Sequence, residues 1–215
     1  MSIKPIKAPV LNTEEFEMVP AGVYLARCYR MLDIGTHTIE TKQNGAKDVH
    51  QVILSWELLQ DDDDQPFFMS DGEKVFTISK TYTLSMHKKS NLRADLDSWR
   101  GIPFTDEEAS DFDITKLLNV FCKLQVIHNA VGDKTYANVK TIMTTRKKAE
   151  IVNEAFSFSL EDRDMEVFED LSDYIKTKIT TSFEWEGQPA KTPDNLPSEE
   201  DVDEDKPIDL SEIPF

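Results

Sequence analysis

The residues of this chain that could do chemistry combine aromatic rings with cations. Arg27 and Tyr29 stand two apart in GVYLARCYRMLDIG, and Lys80 and Tyr82 stand two apart in KVFTISKTYTLSM. Residues two apart share a face of an extended strand. Lys123 lies in FCKLQVIHN, Tyr136 and Lys140 lie in KTYANVKTIMT, Trp56 lies in VHQVILSWELL, and Lys88 and Lys89 precede a helical pattern. Ring faces stack unpaired bases and cations neutralise phosphates, so this set suits sequence-independent binding of a single nucleic-acid strand. Stacking is worth about 1–3 kcal/mol per base, so two or three such rings suffice. Each residue also has a plainer role. An aromatic on a strand is commonly core, and an isolated strand lysine is commonly edge protection. Phe76 and Ile78 share the alternation of Lys80 and Tyr82, so that strand either bulges or buries part of this face.

Other chemistry finds little support. His37, His50, His87 and His128 are scattered, and neither Cys28 nor Cys122 has a second ligand at zinc spacing. Both cysteines read as core residues of a protein in a reducing compartment. The run Asp61–Asp64 lacks the alternating ligands and glycine of a calcium loop and reads as a solvated hairpin tip. No phosphate-binding glycine loop, nucleophile elbow or zinc-protease motif occurs. The carboxylates fall in loops and tail rather than in strand pairs, which argues against a nuclease. The expectation is a protein with no catalysis, no metal and no cofactor.

The elements that must position these residues follow from periodicity and punctuation. Residues 1–20 hold three prolines and no sustained period, and read as an arm. A first strand opens at Gly22 and should end at Gly35, with Asn44-Gly45 as a hairpin turn. Strands follow at 49–59 and 74–86, separated by a polar loop. Leu92, Leu96 and Trp99 then take helical spacing, with Ser90 or Asn91 as N-cap and a stop at Gly101 and Pro103. Thr105 and Glu108 form a capping-box pattern for a short second helix. Strands at 121–129 and 134–144 complete a unit over 21–148. The order of three strands, a helix and two strands describes a mainly β, α+β protein built on a five-stranded OB-fold barrel. Other small barrels and sandwiches share that spacing.

Residues 149–187 read as a helical extension. Phe168, Leu171, Ile175 and Ile179 form an apolar stripe on one amphipathic helix from about 163 to 180. That stripe needs a surface, either the chain's own sheet or a neighbouring subunit. Residues 188–215 hold five of the ten prolines and nine acids against two lysines, and read as a disordered acidic tail.

Net charge is −17, yet its distribution is uneven. Residues 1–148 hold 19 basic and 21 acidic residues, and residues 149–215 hold 5 and 20. The strands and first helix alone (21–60, 74–101, 120–148) hold 16 basic and 7 acidic residues. A basic framework thus carries acidic loops and an acidic tail. No apolar run reaches the ~20 residues of a membrane span, and the N-terminus lacks a signal-peptide block. A soluble intracellular protein is expected.

Two passages add a resemblance. The string SNLR-x-DL-x-SWRG-x-PFT (90–105), with Phe112-Asp113, Leu117-Leu118, Cys-x-Leu-x-Val-x-His (122–128) and Tyr-Ala-Asn-Val (136–139), resembles a family of single-stranded DNA-binding proteins of tailed bacteriophages. The similarity covers roughly residues 20–187. The last residues, IDLSEIPF, are similar to the acidic tip of bacterial single-stranded DNA-binding proteins. This resemblance implies an OB-fold whose binding surface lies across strands two and three. It implies a host-cytoplasmic viral protein that coats single-stranded DNA in replication, recombination and repair. The tip residues Asp209, Glu212, Ile213, Pro214 and Phe215 would recruit host enzymes, with Pro214, Phe215 and its carboxylate in an apolar pocket rimmed by Arg or Lys. The acidic tail would also compete with DNA for the basic surface. Duplex binding and a homo-oligomer stay open. The alternative is an acidic adaptor or DNA mimic that binds host replication enzymes without touching DNA. A weaker third reading is a virion component.

Overall fold

A computed structural model describes residues 17–41, 45–185 and 187. Of the expected arm over 1–20, residues 1–16 fall outside these residues, and the tail from 188 and its tip fall entirely outside them. The protein is mainly β, with six strands and a few short helices. The strands are β1 (Gly22–Thr41), β2 (Gly45–Gln60), β3 (Thr77–Thr83), β4 (Phe121–Val131), β5 (Lys134–Met143) and β6 (Phe156–Phe158). Five run antiparallel in the order β3-β2-β1-β4-β5, and β6 joins β1 in parallel.

The sheet is not closed into a barrel, which corrects the five-stranded barrel expected from strand order. β3 and β5 are its two ends and share no ladder. The helix α1 (Asn91–Arg100) packs against both of them. Its boundaries follow the sequence: Ser90 caps the Arg93 N–H, and Gly101 takes a left-handed φ of 76°. Thr105 and Glu108 make the reciprocal capping box that starts α2 (Asp106–Ser110).

β1 corrects a second expectation. Gly35 does not end the strand but sits within it at φ 79°, beside a register shift between Asp33 and Gly35. Three such irregularities in β1 bend the sheet. They let one long strand pair with β2 along its length, with β4 over Gly22–Arg27 and with β6 over Arg30–Leu32.

The middle of β1 and β2 is buried on both sides, so residues 52–59 of β2 read as a nearly continuous apolar run rather than an alternation. The sheet's inner face sends Cys28, Met31, Leu54, Trp56, Cys122 and Leu124 into a core closed by Leu92, Leu96 and Trp99 of α1. Burial pushes the Cys28 thiol up to about 12, so it carries no thiolate at neutral pH. The outer face sends Leu32, Ile34 and Ile53 into a second core. That core is covered by β6 and by the helices α3 (Met165–Glu169) and α4 (Asp173–Thr180).

The single helix expected over 163–180 is therefore two, interrupted after Asp170, with Asp164 capping the first. Phe168, Leu171, Ile175 and Ile179 are all buried against the chain's own sheet. At about 25 cal/mol per Å², covering such side chains supplies the surface the stripe requires without a neighbouring subunit.

The close packing of this extension makes Gly35 demanding. A Cβ there would lie 2.5 Å from Ser182 Cβ and 2.8 Å from a Glu184 carboxylate oxygen. Gly35→Ala is expected to destabilise the protein by about 1–3 kcal/mol through the left-handed backbone alone, with the overlap added. A urea unfolding midpoint unchanged from wild type would refute this.

Candidate nucleic-acid interface

The structure separates the ten candidate residues into an internal set and a surface set. Arg27 and Glu57 are 1% and 0% exposed and joined at 2.6 Å. The remaining Arg27 nitrogens donate to the Asn119 side chain and the Asn153 carbonyl. A guanidinium so enclosed is out of reach of a phosphate. Trp56 is 0% exposed, and no face of its ring is open to a base. Tyr82 is buried, and its hydroxyl donates to Asp95 of α1 at 2.7 Å, the same carboxylate oxygen that Lys80 holds at 2.9 Å. Lys80 and Tyr82 do share a face, but the register opposes them to Leu54 and Val52 of the inner core. Tyr29 is buried too, with the Arg30 guanidinium 5.7 Å from its ring centre. These placements correct a surface role for Arg27, Tyr29, Trp56 and Tyr82, and leave Lys80 tied to α1.

Lys88 and Lys89 are exposed before α1, and Lys88 pairs with Asp106 at 2.7 Å. Lys123, Tyr136 and Lys140 come together on the outer face of the β4–β5 ribbon. Cys122, Leu124 and Val126 point inward, so Lys123, Gln125 and Ile127 point outward. On β5, Val139 and Ile142 point inward, and a register shift leaves both Lys140 and Thr141 facing out. Tyr136 lies opposite Asn129, and Lys123 opposite Met143. Asn129 and Lys123 are six residues apart on one strand, or about 20 Å at ~3.3 Å per residue. The result is an open strip with a partly exposed ring, amide side chains and a cation at intervals. Lys140 has no ion-pair partner among the described residues. Gln125, Asn129, Asn138 and Thr141 belong to this face although their types did not single them out. The period-two alternation around Val126 would have found them, had the bulge been placed.

The strip is edged by acid. The loop after β2 brings Asp62 to 3.4 Å from Lys123 and Asp64 onto the Lys147 ammonium. Lys147, and more distantly Lys123, hold the Asp64 carboxyl below the usual carboxylate range. These exposed pairs are screened by salt and worth little to stability. They do occupy two cations. If the strip takes a nucleic-acid strand, replacing Asp62 and Asp64 by Asn should raise single-strand affinity and steepen the log–log salt slope by about 0.7 for each cation that reaches a phosphate. Unchanged affinity and slope would place Lys123 and Lys147 outside the interface.

A separate groove of about 340 Å³ lies beyond the end of α1, lined by Trp99, Arg100, Phe104, Phe112, Lys116 and Val120 among others. Among the described residues no cluster of His, Cys, Asp or Glu is arranged to hold a metal ion. No described helix is long and apolar enough to cross a membrane. No protein-family model matches the chain, and no curated protein matches it either.

Proposed function

We propose that the protein binds single-stranded DNA without sequence preference, through the outer face of β4 and β5. The observation that carries this reading is the placement of the Tyr136 ring on one exposed strip with Lys123 and Lys140. A strand laid along that strip meets an aromatic face for a base and cations for its phosphates. The order of elements and the seat of α1 between the ends of β3 and β5 support an OB-type architecture, left open rather than hydrogen-bonded into a closed barrel. In that reading the protein is of the phage type and acts in the host cytoplasm. It protects unwound template in replication and recombination, and the segment Asp209–Phe215 recruits host enzymes.

One observation favours the second reading, an acidic adaptor that binds host replication enzymes rather than DNA. Much of the basic framework is internally neutralised: Arg27, Lys80, Lys88, Arg100, Lys123 and Lys147 each face a carboxylate.

The deciding experiment is fluorescence anisotropy of a labelled oligo-dT of about 30 nucleotides, long enough for several site sizes. Full-length protein and a 1–188 truncation would be compared over a salt series. Micromolar or tighter binding that weakens with salt supports the DNA reading, and tighter binding by the truncation supports competition by the acidic segment. Binding by neither form sinks the DNA reading and leaves the adaptor.

A further inference from the structure

The end of the extension over 149–187 is tied to the β1–β2 hairpin by one compact polar cluster. Glu184 accepts from the Thr36 backbone N–H at 2.8 Å and from Thr36 Oγ1. The Phe183 N–H donates to the Thr36 carbonyl at 3.2 Å. His50 lies opposite Thr36 in the ladder. Its Nε2 is 2.7 Å from Asp33 Oδ1, and its Nδ1 is 3.5 Å from Glu184 Oε1. One imidazole thus stands between two carboxylates, Asp33 of β1 and Glu184 of the segment after α4. His37 of β1 faces the same cluster with its Nε2 on the Ile34 carbonyl, and Lys178 of α4 faces His37. The side chains of His50, Asp33 and Glu184 are 32%, 22% and 19% exposed, so protons reach them while water screens them only in part.

The charge on His50 decides what the two carboxylates meet. Protonated imidazole presents a donor at both nitrogens, one toward each acid. Neutral imidazole has a single donor, and its other nitrogen turns a lone pair toward a carboxylate. We infer that Asp33, His50 and Glu184 form a proton-operated latch. Closed when His50 is charged, it holds residues 182–185 against the β1–β2 hairpin; it loosens when His50 is neutral.

Three features agree with this assignment. Gly35 has no Cβ where Ser182 and Glu184 come down on β1, so the hairpin admits the segment at a distance no other residue allows. Burial disfavours charge on His50, yet the hydrogen bond and charge of Asp33, with Glu184 behind it, outweigh burial and raise its pKa above the ordinary 6.5. Burial and the charge of Lys178 lower the pKa of His37, so the second histidine loses its proton at lower pH than the first. Glu184 is lowered from 4.5, because its hydrogen bonds from Thr36, aided by His50, outweigh its burial.

The signs then set a window. The His50 contribution is whole below the ordinary histidine value and is lost as pH rises through the folded one. The Glu184 contribution is whole above the ordinary glutamate value and is lost as pH falls through the folded one. The latch is tightest between 4.5 and 6.5 and loosens toward alkaline pH. Each unit by which closure raises the His50 pKa is about a tenfold change in the ratio of closed to open on deprotonation.

Fluorine NMR of the full-length protein labelled with fluorotryptophan tests this. Trp185 adjoins Glu184 and stacks on Phe168 at 5.0 Å, whereas Trp56 and Trp99 lie in the first core. From about pH 5 to 9 the Trp185 resonance should follow one inflection above the ordinary histidine value, with Trp56 and Trp99 still. The inflection should vanish in His50→Gln and fall toward that ordinary value in Asp33→Asn, which keeps the ring and removes its nearest acid. A Trp185 resonance flat with pH, or an inflection that survives unchanged in His50→Gln, overturns the latch. Should His50→Gln disturb the two core tryptophans, Asp33→Asn decides alone: an inflection that stays or rises overturns it.

Discussion

Glu57→Ala is expected to remove about 3–5 kcal/mol of unfolding free energy, the cost of leaving a buried charge without its partner. The Arg27 guanidinium would stay at 1% exposure with only neutral acceptors, the Asn119 side chain and the Asn153 carbonyl. Glu57 also accepts from the backbone and side chain of Asn153, at 2.8 Å each, through its second oxygen. The same carboxylate therefore neutralises β1 and anchors the connection that leads from β5 to the extension. Urea unfolding measures the loss, and a drop below about 1 kcal/mol would show that water already reaches the pair. The double substitution Arg27→Met with Glu57→Met should recover most of the stability, because replacing a whole buried pair by apolar groups is often neutral or favourable. Recovery in the double variant separates an orphaned charge from a simple packing defect.

That ion pair also shows where a reading of the sequence stops. Arg27 next to Tyr29 has the residue types of a binding face, and Glu57 is the one carboxylate in the run VILSWELL (52–59). Nothing local says that these two, thirty positions apart, are paired across β1 and β2. Local chemistry was legible where it is self-contained: the Ser90 cap, the Gly101 stop, the Thr105–Glu108 box and the β4–β5 hairpin all depend on residues a few positions apart. The faces of strands were not, because register and bulges decide them. Gly35 permits a left-handed φ, which serves a turn or a bulge equally, and only the pairing of β1 with β2 on both sides of it selects the bulge. The alternation Phe76, Ile78, Lys80, Tyr82 left a bulge or partial burial open, and the unbroken β2–β3 register with the inner core and Asp95 gives burial. β6 has three residues, too few to show a period, and exists because β4 leaves the edge of β1 after Arg27. On the site itself, residue type singles out Lys123, Tyr136 and Lys140, but the face they share with the amides between them follows only from the β4–β5 pairing and its shift beside Val126.

On that strip, Tyr136→Ala and Lys140→Gln should each weaken single-strand binding, and they should do so differently. Losing one stacked base costs about 1–3 kcal/mol, so Tyr136→Ala is expected to lower affinity roughly five- to 150-fold with little change in salt dependence. Losing one phosphate contact flattens the log–log salt slope by about 0.7, so Lys140→Gln should bind nearly as well at high salt and markedly worse at low salt. Tyr136 is partly exposed and Lys140 exposed, so neither change empties the core, and unfolding midpoints should stay within about 0.5 kcal/mol of wild type. Matched stability makes the affinity differences interpretable as contacts. A pair of variants that both bind like wild type would remove the β4–β5 face from the interface. Elsewhere in the basic framework, Lys88, Arg100, Lys123 and Lys147 each pair with an acid. In that event the internally neutralised surface favours the adaptor, whose partner would have to be a protein.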